Sequence, residues 1–275
     1  LLGLRLALVL AVFPFHTWGP MVSQQAHPVT MSFLLFILPT TILIFALNFL
    51  DRYAFLRESE NIYQIIRLMG TIMIVSGGAW TAFEKNLKRA FGFSAITETG
   101  FSLLTIGLTQ VGGLKWLMLL LPARALGYLL WGYTLTLIED LAGSLRTQTI
   151  QGFAHRYPIL SAGLILAQLS IAGLPLLASF PTKIAIMTGT FVTNINLGAW
   201  VFLGSLGLFF FSIRLIAILV TPEDINNPPT WIISEKITEY VPIIIMVIAL
   251  IIFGLFPHIF YAGMTNILTS FTQLQ

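Results

Sequence analysis

The sequence predicts an all-α, polytopic transmembrane helical bundle with two discontinuous helices, and three observations carry that expectation. The 275 residues are 57% hydrophobic and only 9% charged, with a mean hydropathy of +0.90, far more apolar than a water-soluble domain. Apolar runs continue for about 20 residues, the length of a membrane-crossing helix and unlike the short alternating segments of a barrel. Two phrases, PFHTWGP and AGLPLLASFPTK, cut such runs with prolines and polar residues.

In chain order, LLGLRLALVLAVF reads as a helix about half a bilayer long and not as a secretory signal, which needs a basic start and a small-residue cleavage site. PFHTWGP follows, with Pro14, His16 and Pro20 as break residues. It reads equally as an interfacial loop anchored by its tryptophan. Residues 27–50 form a helix with a kink expected near Pro39, and 51–61 a charged loop. The helix from Arg67 to Phe83 carries Gly70, Gly77 and Gly78, small residues that let neighbouring helices approach.

FEKNLKRAFGFSAITETGFSLLTIGL comes next. Glu84 and Lys88 stand four apart, on one face and in the order favoured for an ion pair if the helix continues. With Arg89 they read equally as a solvated turn. Glu98 lies well inside the following helix, where a carboxyl stays neutral unless a cation or water is close. The span from Trp116 to Ile138 carries Pro122, Arg124 and Tyr128. Arginine keeps its charge at any relevant pH, so Arg124 is expected to bias a proton path without carrying the proton. Residues 139–156 read as a polar loop.

The stretch LSIAGLPLLASFPTK, 169–183, is the most informative. An unbroken helix through Pro175 and Pro181 would lose hydrogen bonds that lipid cannot replace, so two half helices are expected around an extended joint containing Gly173 and Pro175. Such joints commonly form ion sites in transporters. Lys183 follows the joint and is expected to face a polar interior, an ammonium being costly in lipid; snorkelling to the interface is the other reading. Residues 198–220 form another span, 222–239 a loop with a Pro–Pro turn, and 241–260 the last span. Roughly eight hydrophobic stretches of full or half membrane length make one transmembrane domain, 1–275. Lysine and arginine counts in alternate loops do not assign an orientation.

Several function classes are excluded. No cysteine is present, so disulfides, thiolate metal sites and cysteine-held iron–sulfur clusters are out. The histidines at 16, 27, 155 and 258 lack metal-ligand spacing, and no cofactor is expected. A net charge of +3 from few groups gives no support for nucleic-acid binding.

Taken in chain order, FPFHTWGP, NLKRAFGFSAITETGF, GFAHRYPI, LSIAGLPLLASFPTK and GLFP resemble the antiporter-like proton-translocating subunits of respiratory complex I, whose relatives include Mrp-type cation/proton antiporters and membrane-bound hydrogenases. The similarity extends over nearly the whole chain and corresponds to the C-terminal part of such a subunit, beginning within the family's first broken helix. It implies a path of neutralisable lysines joined by water, with Lys88 and Lys183 as proton carriers and Glu84, Glu98 and Arg124 as modulators, Glu84 by pairing with Lys88. Three family positions differ. A lysine expected before the first break falls on Val9, with Arg5 a turn upstream, and a His and a Lys before the second break fall on Arg124 and Tyr128. The implied partners are other membrane subunits of a respiratory-type complex, in a bacterial plasma membrane or an energy-transducing organelle membrane, with no redox site in this chain. An Mrp-type Na⁺/H⁺ antiporter or hydrogenase subunit is the alternative in the same class. A non-pumping structural subunit is the alternative in another.

Overall fold

The computed structural model describes residues 8, 10, 12, 15–222, 235–259 and 271. Pro14, Val9, Arg5 and the Pro–Pro turn lie outside them. The described residues form ten α-helices: α1 (Trp18–Gln25), α2 (Pro28–Arg52), α3 (Ala54–Arg57), α4 (Glu60–Phe83), α5 (Leu87–Gly107), α6 (Gly113–Ala142), α7 (Pro158–Ala172), α8 (Phe180–Thr193), α9 (Ile195–Val220) and α10 (Ile237–Leu255). Short 3₁₀ turns occupy Phe15–Thr17, Thr109–Val111 and Phe153–His155. No named strand occurs among the described residues. Five helices, α2, α4, α6, α9 and α10, are long and apolar enough to cross a membrane.

The centre of the bundle is α5, in which every residue from Ala90 to Gly107 is buried. It packs against α1, α2, α4, α6 and α8. Asn86 starts it, its side chain accepting from the backbone N–H groups of Lys88 (2.9 Å) and Arg89 (3.4 Å), which have no partner within the helix. The preceding residues pair with 145–147 through Leu87 N–H to Leu145 O (3.0 Å) and Thr147 N–H to Lys85 O (3.0 Å). The expected continuation of one helix through Glu84 therefore does not occur: α4 ends at Phe83.

Helices in lipid associate through close packing more than through hydrophobic burial, which favours small residues at crossings. The expected role of the α4 glycines is met. A Cβ on Gly78 would lie 1.9 Å from Gly204 O of α9, and one on Gly77 would lie 2.5 Å from Thr97 Oγ1 of α5. Glycines also join phrases far apart in sequence. A Cβ on Gly92 would meet Pro20 Cα at 2.7 Å, and one on Gly254, in GLFP, would meet Leu176 O at 2.4 Å.

The prolines divide by position. Pro20 and Pro181 fall in the first turns of α1 and α8, where a missing N–H costs nothing, so they start helices and do not break them. His16 sits in the 3₁₀ turn before α1. Gly173 caps α7 in the left-handed conformation (φ 86°), and residues 173–179, Pro175 among them, separate α7 from α8. Leu176 in that joint also has positive φ (76°). Pro39, Pro122 and Pro242 lie within continuous helices.

Candidate intramembrane charge site

Lys183 is 2% exposed and Glu98 not at all, and the two form an ion pair between α8 and the middle of α5. The Lys183 ammonium also donates to the Ile171 carbonyl in the last turn of α7. That turn carries carbonyls without helical partners and the negative end of the helix dipole, so the joint supplies part of the cation's solvation. The Phe101 ring lies beneath the ammonium at 4.6 Å from its centroid. Gly173 makes room for the lysine stem, since a Cβ there would lie 2.9 Å from Lys183 Cδ. The glycine thus serves both the left-handed cap and the passage of the side chain. Lys183 faces the interior, and the snorkelling reading is set aside.

Arg124, 1% exposed, occupies the neighbouring position on α6. Pro39 has no N–H, which leaves the Leu35 carbonyl four residues earlier without its helical partner. Arg124 Nη2 donates to that carbonyl at 2.9 Å and to Thr99 Oγ1 at 3.2 Å, while Nη1 reaches Ser102 Oγ at 3.4 Å. Tyr128 lies under the guanidinium, 5.1 Å from the ring centroid to the guanidinium carbon. Arginine is thereby held by one proline-freed carbonyl and two hydroxyls.

Lys88 lies at the start of α5 and pairs with Glu139 at 2.6 Å, not with Glu84. Glu84 pairs instead with Arg89 (3.3 Å) and caps the turn by accepting from Lys85 N–H (2.9 Å) and Asn86 N–H (3.2 Å). The four-residue spacing failed because it presupposed an unbroken helix. Glu139 was legible only as the first charge after a continuous apolar run, placed by the structure on the last turns of α6. Sequence reasoning also passed over Gln168, the one amide inside α7. It is fully buried and accepts from Trp131 Nε1 at 3.0 Å, while its own Nε2, like the Tyr128 hydroxyl of α6, is buried without a protein partner. No metal-binding cluster of His, Asp or Glu occurs among the described residues.

A polytopic bundle with charges paired at its core and a helix end turned onto a lysine has the build of a membrane protein that handles ions internally. Residues 1–212 match the family described as NADH:quinone oxidoreductase/Mrp antiporter, TM, and the chain belongs to that family. It is 27% identical over 274 residues to NADH-quinone oxidoreductase subunit N of Cytophaga hutchinsonii, covering 94% of this chain and 56% of that protein. It is also 27% identical over 265 residues to the subunit N of Psychrobacter arcticus, covering 92% and 52%. The chain thus spans about half the length of these relatives. Among solved structures its fold matches a chain of the membrane-bound sulfane sulfur reductase, an archaeal respiratory membrane complex (TM-score 0.88, 18% identity, 98% of this chain and 54% of that one). It likewise matches a chain of respiratory complex I from Thermus thermophilus with bound NADH (TM-score 0.78, 20% identity, 98% and 57%).

Proposed function

We propose that the chain belongs to a proton-translocating, antiporter-like subunit of a complex-I-like NADH:quinone oxidoreductase in a bacterial plasma membrane, where it works among other membrane subunits. It carries out no redox chemistry of its own; it passes protons through the bundle. The buried Lys183–Glu98 pair at the end of α7 carries this reading. A scaffold gains nothing from an ammonium and a carboxylate at membrane depth, because both must be stripped of water. A proton path needs such groups.

The chemistry is a transfer within the pair. When the Lys183 ammonium hands its proton to the Glu98 carboxylate, an ion pair becomes a neutral amine and carboxylic acid, and the net charge of the pair stays zero. Arg124 is bonded to Thr99 and Ser102, beside and one turn after Glu98 on α5, and it stays a cation throughout. Lys88 and Glu139 form a second, partly buried pair where α5 begins. The buried amide of Gln168 and hydroxyl of Tyr128, which have unused hydrogen-bonding capacity, suit water between the two lysines. The two short helices α7 and α8 act in this reading as one interrupted crossing.

The test is proton pumping by the assembled complex in proteoliposomes, with Lys183→Met/Glu98→Gln. This double substitution removes both members of the pair and so avoids the unpaired carboxylate or ammonium that a single substitution leaves. Lost pumping with normal assembly is expected. Normal pumping would overturn the reading in favour of a structural subunit.

A further inference from the structure

α5 meets an ion pair at three depths. Lys88–Glu139 marks its start, and Glu98–Lys183 follows about 15 Å along the axis. Arg67 and Glu60 of α4 form the third pair at its end, about 14 Å beyond Glu98. We propose that this third cluster is the solvent mouth through which the path exchanges protons with water on the membrane face where α5 ends. Glu60 is the exchanging group, and Arg67 the fixed charge that bars other cations. The inference rests on the proton-translocating reading above.

The cluster is built into the fold. Gly107 lets Arg67 lie across the end of α5, since a Cβ there would come within 2.5 Å of Arg67 Cγ. Arg67 Nη1 donates to Gly107 O (3.4 Å), and Gln110 Nε2 donates to Glu60 Oε2 (3.1 Å). The Arg67 side chain is 10% exposed and that of Glu60 47%. The cation is thus sunk in protein with the carboxylate at the water's edge. Beside them is a cavity of about 520 Å³ lined by Glu60, Gln64, Arg67, Gln110, Thr193 and Asn194 among others.

The position of the cavity gives it a role. Its walls are the first turns of α4, the segment after α5 and the junction between α8 and α9, so it lies at the ends of the two helices, α5 and α8, that supply Glu98 and Lys183. The Arg67 guanidinium already has Glu60 as its anionic partner, so the cavity is not built for a second anion such as a lipid phosphate. Between the cavity and the central pair, one side of α5 carries the apolar cluster of Phe101, Leu104 and Leu108. Other positions over the same length present the Ser102 and Thr105 hydroxyls. The apolar residues keep the mouth closed to ions, while the hydroxyls give entering water a polar lining.

These 275 residues contain no cysteine, so a label found on them by mass reports the introduced residue, and the same reagent on the unsubstituted complex sets the baseline for pumping. Gln64→Cys at the cavity rim and Gln148→Cys at the opposite end of the bundle are each placed in the assembled complex in vesicles. A charged, membrane-impermeant methanethiosulfonate is applied from either side, labelling is read by mass, and pumping is measured before and after. Gln64→Cys is expected to label only from the side opposite to Gln148→Cys, with a several-fold loss of pumping on labelling. Glu60→Gln should lower pumping several-fold, and Glu60→Asp should restore most of it. Labelling of both cysteines from one side, failure of Gln64→Cys to label, or full pumping by labelled Gln64→Cys and by Glu60→Gln overturns the mouth. If Lys183→Met/Glu98→Gln pumps normally, the underlying reading fails instead. A dead double variant beside a normal Glu60→Gln condemns the mouth alone.

Discussion

Substituting Lys183 and Glu98 singly and together separates their electrostatic partnership from their role in transport. Lys183→Met deletes the cation and leaves a fully buried carboxylate at Glu98. Removing one member of a buried pair typically costs about 3–5 kcal/mol, whereas replacing both by uncharged groups of similar volume is often near neutral. Methionine keeps the length of the lysine stem that passes Gly173, and glutamine keeps the shape of Glu98, so neither opens a cavity. Each single variant should therefore be less stable by about 3 kcal/mol or more, and the double variant should recover most of that loss. The assay is a denaturant titration of the purified subunit in detergent, read as a double-mutant cycle. Additive costs, with a coupling energy under about 0.5 kcal/mol, would refute the claim that the two residues stabilise one another. Pumping should not follow stability, since the double variant recovers the fold and not the proton carrier.

Gly173→Ala should destabilise the subunit by about 1–2 kcal/mol, because alanine pays for the left-handed conformation and its Cβ presses on Lys183 Cδ; the same titration measures it, with an accompanying drop in pumping. Arg124→Leu should strand the Leu35 carbonyl at a cost of about 1–3 kcal/mol, and this penalty should shrink in a Pro39→Ala background, where residue 39 regains an N–H for that carbonyl; equal costs in both backgrounds would break the link. Glu139→Gln should lower pumping more than Glu84→Gln, because Glu139 holds Lys88 while Glu84 holds Arg89 and a turn; proteoliposome assays of the two compare them directly.

The fold was legible where one physical demand dominates. Composition and run length required membrane helices. Glycines at 70, 77 and 78 foretold close crossings, and the Gly–Pro phrase at 173–175 foretold the gap between α7 and α8. Pairing was less legible, because it depends on which helix ends meet in space. Glu84 and Lys88 satisfied a local spacing rule, yet the chain leaves the helix at Phe83, and a tertiary contact from α6 supplied Glu139 instead. The same limitation hid the partner of Glu98. The sequence required that a carboxyl inside an apolar helix have a cation or water nearby, but 85 residues separate it from Lys183. Pro20 and Pro181 misled for a local reason, since a proline that breaks a helix and one that starts it look alike until the first turn is located.

The central cluster holds one carboxylate and two cations of different kinds, and the difference matters to transport. Were Lys183 the only cation, its deprotonation toward water would leave Glu98 as a lone buried anion, at the cost that a broken pair incurs. Arg124 lowers that cost without pairing with Glu98. Anchored on the Leu35 carbonyl, Thr99 and Ser102, it keeps a counter-charge within the cluster at any relevant pH. The cluster then carries a net charge of +1 while the proton stays within the Lys183–Glu98 pair and zero once it has left for water, and in the second state the Glu98 anion still has a cation in its cluster. A second lysine in place of Arg124 would lose its charge too easily to serve, and an apolar residue would strand both Glu98 and the Leu35 carbonyl. On the proposed function, Arg124 gives the site its fixed charge, and Lys183 is left to exchange the proton.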